Sequence, residues 1–278
     1  MLYLILAILS SACVSLFMRL SESKIRNNIA MLVMNYCMCA LLGALYAGAG
    51  SLIAPSGALY QTAGMGIFNG VLYLASFVLL QVNVRRNGVV LSATFMKLGL
   101  LVTMAISVFL YGELPGPLQL AGFVIAVAAI VLINYRKDAG SAGFKSGLIL
   151  LLLCGGMADA MSKIFEESGV AGMGDAFLFY TFFAALILCI GLMLYKKQRP
   201  GKWEVLFGLM IGVPNFLSSK FLLRSLEDVA AVIAYPVYSV SCILLVTLVG
   251  VAAFREKLEK RQWIALGLIL LALVLLNV

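Results

Sequence analysis

The sequence predicts an all-α membrane protein of ten transmembrane helices, arranged as two inverted five-helix repeats. Three observations carry that reading. Of the 278 residues, 63% are hydrophobic and only 12% charged, against about 45–50% apolar and 25% charged in soluble domains. Ten apolar runs each approach the roughly 20 residues that a helix needs to cross a bilayer core. Polar residues of the first half also recur in the second at a nearly constant offset.

The runs cover residues 1–18, 29–48, 61–84, 88–110, 117–135, 146–164, 175–195, 203–224, 229–254 and 262–278. The gaps are short and leave no room for a water-soluble domain. The first run has no basic stretch before it and no small-residue cleavage site before Arg19, so it reads as a retained helix, not a signal peptide. The net charge of +8 does not indicate nucleic acid, because the basic residues sit at the ends of apolar runs, where membrane proteins place them. Cys13, Cys37, Cys39, Cys154, Cys189 and Cys242 all lie inside runs, and the chain has no histidine. No metal-ligand spacing appears, so the cysteines read as small packing residues, with no metal site and no cofactor.

Glu113, Gln119 and Asn134 recur as Glu256, Gln262 and Asn277, each 143 residues later. Arg19, Glu22 and Tyr36 match Lys163, Glu166 and Tyr180 at 144, and Gly66 and Gly70 match Gly208 and Gly212 at 142. The repeats are placed at 1–138 and 139–278. Five helices is an odd number, so the second copy enters the membrane in the opposite sense, a plan common among secondary transporters. Two such halves can exchange conformations and open a central site to one side and then the other. The alternative is a duplication preserved in a protein that does not transport.

Sixteen of the 20 Lys and Arg residues fall in the odd-numbered loops: Arg19, Lys24 and Arg26; Arg85 and Arg86; Arg136, Lys137 and Lys145; Lys196, Lys197, Arg199 and Lys202; Arg255, Lys257, Lys260 and Arg261. The positive-inside rule puts those loops in the cytoplasm and both termini outside.

Ten helices in two repeats, each with Glu closing its fourth helix and a Gly- or Ala-rich fifth, resemble the drug/metabolite transporter superfamily of the EamA type. The stretches that carry the resemblance are FLYGELPGPLQLAGFVIAVAAIVLIN, AAFREKLEKRQWIALGLILLALVLLN and, like the family's ninth helix, VAAVIAYPVYSVSCILLVTLVG. Ala265 stands where the first copy has Gly122, and the charge pattern puts the termini outside, whereas several members place them inside. The resemblance implies a central cavity surrounded by helices 1–4 and 6–9, with helices 5 and 10 peripheral. It implies transport of a solute drawn from amino acids, sugar derivatives, amines, drugs and other metabolites.

Lys97 lies near the middle of the fourth run, where a cation costs about 2.5–3.5 kcal/mol on insertion scales. It is expected to face the cavity and attract a substrate carboxylate or phosphate; an internal ion pair is the structural alternative. Asp159, the one carboxylate deep within a run, lies four residues before Lys163 and shares its helix face. The two read as an internal pair, or as a candidate coupling site if transport uses protons. Pro214 and Pro236 are candidate hinges, since a proline frees a backbone carbonyl in a membrane helix. Tyr235, Tyr238, Asn215, Asn35, Tyr36 and Asn69 are candidate substrate contacts, with interhelical packing and hydrogen bonding as their structural reading. Lys220 and Arg224 share a face at the outer end of the eighth helix, either as an electropositive vestibule or as side chains snorkelling to the interface. The two Gly-x-x-x-Gly stripes read as helix contacts.

Gly172-Met173-Gly174-Asp175 matches the G-x-G-D of intramembrane aspartyl proteases. That chemistry needs a second aspartate facing the first, and the fitting Tyr-Asp pair is absent, so Asp175 reads as a cap at a helix start. No P-loop is present to drive transport with ATP.

The chain is therefore read as a non-enzymatic secondary transporter of a small polar metabolite, anionic or zwitterionic, in a plasma or inner membrane. The rivals are an exporter of drugs or hydrophobic compounds, whose cavity would favour acids over Lys97, and a receptor or scaffold that does not transport. The expected partners are a small-molecule substrate and the lipid bilayer, with a homodimer as the candidate assembly and no nucleic acid.

Overall fold

The computed structural model describes residues 1–21, 24–48, 50, 52, 56–87, 89–134, 145–254 and 260–276. Glu22, Arg136, Lys137, Arg255, Glu256, Lys257 and Asn277, used above in the repeat and charge arguments, lie outside the described residues. Ten helical crossings follow in order: α1 (Leu2–Ser21), α2 (Asn28–Ala47), α3 (Gly57–Asn87), a fourth in two pieces, α4a (Val89–Lys97) and α4b (Leu100–Tyr111), then α5 (Pro117–Asn134), α6 (Lys145–Ser168), α7 (Gly174–Tyr195), α8 (Lys202–Ser225), α9 (Ala231–Phe254) and α10 (Lys260–Leu276). The described residues contain no strand. Eight of the crossings are long and apolar enough to span a membrane. α5 and α10, of 18 and 17 residues, sit at the short end of the range of about 17–25.

The fourth crossing departs from the single helix expected over 88–110. The Leu98 amide still bonds to Thr94, but Gly99 reaches Met96, Leu101 reaches Leu98 and Val102 reaches Gly99, all three residues back. The helix tightens for one turn and continues. Three-residue hydrogen bonding within a helix of this kind often marks a functional position.

The chain forms two compact units. The first comprises Met1–Leu74 and Ile164–Glu227, the second Ala75–Lys163 and Asp228–Val278. Each unit takes helices from both halves of the sequence.

In the first unit, α2 packs on α7 and α8, and α1 packs on α8. Lipid tails are as apolar as the side chains, so helices in a bilayer associate through close van der Waals contact, and small residues permit it. A Cβ at Gly66 of α3 would lie 2.7 Å from Tyr180 Cβ and 2.8 Å from the Phe177 carbonyl oxygen, both on α7. A Cβ at Gly208 of α8 would meet Met34 Cβ and lie 2.6 Å from the Met31 carbonyl oxygen, both on α2. The two contacts are reciprocal: the third helix of each half lies on the second helix of the other. Gly70 on the Thr181 carbonyl and Gly212 on the Asn35 carbonyl repeat the pattern one turn on. In this packing Thr181 corresponds to Asn35, an offset of 146, so the match of Tyr36 with Tyr180 at 144 is two residues out of register. The core beside these contacts is aromatic, with Phe177, Phe182 and Phe216 fully buried and Phe165 stacked on Phe177 at 4.3 Å between centroids.

In the second unit, α5 packs along α10, and α9 packs on α4b, α5 and α10. A Cβ at Gly122 would lie 2.9 Å from Leu275 Cβ on α10. Its repeat position, Ala265, is itself fully buried. The closest crossing joins the tightened turn of the fourth helix to α6. A Cβ at Gly99 would lie 2.9 Å from the Gly156 nitrogen, and one at Gly156 would collide with the Gly99 carbonyl and lie 2.6 Å from Val102 Cβ. Glycine at both positions lets the two backbones touch.

Candidate substrate site

The Gly99–Gly156 crossing carries the charged residues of the second unit with it. Lys97 is the last residue of α4a, two positions before Gly99, and Asp159 stands one turn after Gly156. Eight residues of α4a precede Lys97, about 12 Å of helix, and Asp159 lies roughly 14 Å from the nearer end of α6, at 1.5 Å per residue. The Lys97 ammonium acts electrostatically on the Asp159 carboxylate, but they form no ion pair within 4 Å. Both side chains are exposed. A charge this far along a membrane helix is costly to expose to hydrocarbon.

The expected pairing of Asp159 with Lys163 is not formed. The Lys163 ammonium lies 2.8 Å from Glu113 Oε1, with side-chain exposures of 3% and 15%, and 5.7 Å from the centre of the Tyr111 ring. Glu113 Oε2 also accepts the Val232 amide at 3.2 Å, one of the unpaired donors at the start of α9. The local cause is Gly112. It closes α4b in the left-handed region at φ +68°, donates to the Ser107 and Val108 carbonyls, and turns the chain so that Glu113 reaches α6 and α9. Sharing a helix face gave Lys163 access to Asp159, but the turn delivered a carboxylate with better geometry.

Tyr235 is 3% exposed and donates its hydroxyl to the main-chain carbonyl of Asp159 at 2.6 Å. It holds α9 to α6 beside the charged pair. Tyr238 is half-buried on the same helix. α9 continues through Pro236, and α8 through Pro214.

The other predicted residues belong to the first unit. Asn215, next to Pro214, donates to Asn35 Oδ1 at 3.2 Å, and the Cys39 thiol donates to the Gly212 carbonyl at 3.3 Å. The amides thus tie α8 to α2 at the glycine contact. Tyr36 is buried, with its ring 6.1 Å from that of Phe182. Asn69, between Gly66 and Gly70, is 1% exposed, and its Oδ1 has no hydrogen-bond partner among the described residues.

Lys220 and Arg224 do not form an electropositive vestibule, because each is paired with an acid. Lys220 is held at 2.7 Å from Asp175, with its ammonium 3.7 Å from the centre of the Tyr46 ring. Arg224 pairs with Glu227 at 3.5 Å, both exposed. The cavity here, about 460 Å³, is also lined by Glu166 and Glu167, so its acids outnumber its bases. Asp175 lies in the first turn of α7, where its carboxylate accepts from the Lys220 ammonium. Among the described residues no group of His, Cys, Asp and Glu could hold a metal ion.

Residues 146–278, which span α6 to α10, match the model of the EamA-like transporter family. That segment, a little under half of the chain, is similar to the family. The matched family is one of transporters. A Haemophilus influenzae protein described as uncharacterised is 25% identical over 204 residues, covering 71% of this chain and 69% of its own length. A solved crystal structure of a protein shares the fold, with a TM-score of 0.77 at 16% identity over 99% of this chain and 94% of the other.

The matched segment contains Asp159, Lys163 and Tyr235, while Lys97 and Glu113 precede it. Two carboxylates had roles that the sequence reading did not assign. Glu113 stood out only as a repeat marker, although Lys163 recurs at nearly the same offset, which is the signal that the two act together. Glu204, 5% exposed, accepts the Arg26 and Asn27 amides at 2.8 and 3.3 Å and caps the start of α2 from α8.

Proposed function

We propose that the chain is a secondary transporter of a small polar metabolite that works by alternating access, with Lys97 receiving an anionic group of the substrate. The observation that carries this is an exposed lysine about 12 Å inside its helix, beside a tightened turn and outside any close ion pair. A purely structural cation at that depth would be enclosed by acceptors, as Lys163 is by Glu113. Tyr235 and Tyr238, on α9 of the same unit, are the candidate neighbours of the substrate. Lys97 also favours this reading over export of cationic drugs, which would be repelled by it. The segregation of basic residues supports a plasma or inner membrane location with both termini outside.

The test is solute uptake and counterflow in proteoliposomes holding the purified protein. Lys97→Ala and Lys97→Met should each raise the KM for an anion-bearing substrate at least tenfold without lowering the amount of folded protein. Unchanged KM in both variants would remove Lys97 from the site. Absence of flux for every class of solute would overturn the transporter reading as applied to this chain.

A further inference from the structure

We propose that Lys97 and Asp159 act together as a receptor for a zwitterion, Lys97 taking its anionic group and Asp159 its ammonium. The proposal rests on the transport reading above and names the substrate class of that same site.

The first argument is charge balance. The two groups sense each other electrostatically, are both exposed and stand more than 4 Å apart. A ligand carrying only an anion would gain Lys97 and be repelled by Asp159. A ligand carrying only a cation would meet the reverse. A zwitterion satisfies both and leaves the net charge of the site unchanged, which matters in surroundings of low dielectric.

Second, the surrounding structure fixes the backbones of the pair and, among the described residues, pairs neither charge with another group. The Gly99–Gly156 contact fixes the backbones that carry the two residues. Tyr235 anchors the Asp159 main chain through its carbonyl, without using the carboxylate. Lys163, one turn away, is bound to Glu113.

The third argument comes from the repeat. Glu113 recurs as Glu256, Lys163 as Arg19, and Gly66 and Gly70 as Gly208 and Gly212. Lys97 does not, since 97 + 143 is Val240. Asp159 does not, since 159 − 144 is Ser15. A pair present in one copy is what an asymmetric ligand needs.

The experiment measures thermal stabilisation of the purified full chain in lipid nanodiscs by matched triads, each consisting of a zwitterion, its amine and its carboxylate. The triads are alanine, ethylamine and propionate; leucine, isoamylamine and 4-methylpentanoate; and phenylalanine, phenethylamine and 3-phenylpropionate. Bound ligand raises the unfolding temperature according to occupancy. In at least one triad the zwitterion should bind at least tenfold more tightly than both partners. Asp159→Asn should weaken the zwitterion at least tenfold and leave it no better than the carboxylate. Lys97→Met should leave it no better than the amine. Asp159→Ser, the residue at the repeat position, replaces Asp159→Asn if that variant does not yield folded protein. The proposal is overturned if wild type binds the carboxylate or the amine as tightly as the zwitterion, if no triad stabilises it, or if the Asp159 variants keep the zwitterion preference. These results leave the transport reading standing wherever proteoliposomes still show flux, so the two can fail separately.

Discussion

The Glu113–Lys163 pair allows the energetics of this fold to be tested directly. The ammonium and carboxylate are 2.8 Å apart and nearly closed to solvent, so removing one partner leaves the other charge stranded. Such losses run to about 3–5 kcal/mol. Lys163→Met should fall at the lower end, about 3 kcal/mol, because Glu113 would still accept the Val232 amide. Glu113→Gln should cost a little less, since the Lys163 ammonium keeps the Tyr111 ring nearby, an attraction of roughly 0.5–1 kcal/mol. The double variant should recover much of the sum and give a coupling energy of about 2 kcal/mol, as expected for residues in direct contact. Thermal unfolding of the four proteins in one detergent measures this cycle, with each kcal/mol moving the midpoint by about 2–4 °C in a chain of this size. A coupling below about 0.5 kcal/mol would place the pair with solvent-screened surface bridges and refute its role in holding the turn after α4b to α6.

Four further outcomes follow from the same geometry. Gly112→Ala puts a Cβ on a residue at φ +68° and should cost about 1–2 kcal/mol even though nothing surrounds that Cβ; an unchanged melting midpoint would contradict it. Gly66→Ala and Gly208→Ala meet matching backbone obstacles on α7 and α2 and should each cost about 1–3 kcal/mol, with a large difference between them arguing against reciprocal packing. Arg224→Ala removes a 3.5 Å bridge between two exposed groups and should change stability by less than about 1 kcal/mol in the same assay. Reporter fusions at the carboxyl end should read as extracytoplasmic, and cytoplasmic activity there would reverse the orientation inferred from the basic loops.

Much of this protein could be read before any coordinates. The spans match to within a few residues, from 29–48 against Asn28–Ala47 to 203–224 against Lys202–Ser225, because a bilayer requires a long apolar run for each crossing and tolerates little else. The Gly-x-x-x-Gly stripes announced close contacts for the same reason: small residues spaced by one turn have little other use on an apolar helix.

Partnership was another matter. From spacing alone Lys163 belonged with Asp159, and Lys220 and Arg224 shared a face as a vestibule or as snorkelling side chains. Helix periodicity fixes which residues share a face of one helix but carries no information about what a second helix brings to that face. Glu113 reached Lys163 through a left-handed turn at Gly112, and Asp175 reached Lys220 from 45 positions away. The register between α2 and α7 differed by two residues from the sequence match for a similar reason, since a glycine contact is set by where two backbones can approach. Composition and periodicity therefore determined that the chain is a ten-helix membrane protein, with charged residues that its apolar surroundings make conspicuous. Only the tertiary structure decided which charges neutralise one another and which remain exposed, because an ion pair depends on a few ångströms between atoms that the sequence sets far apart.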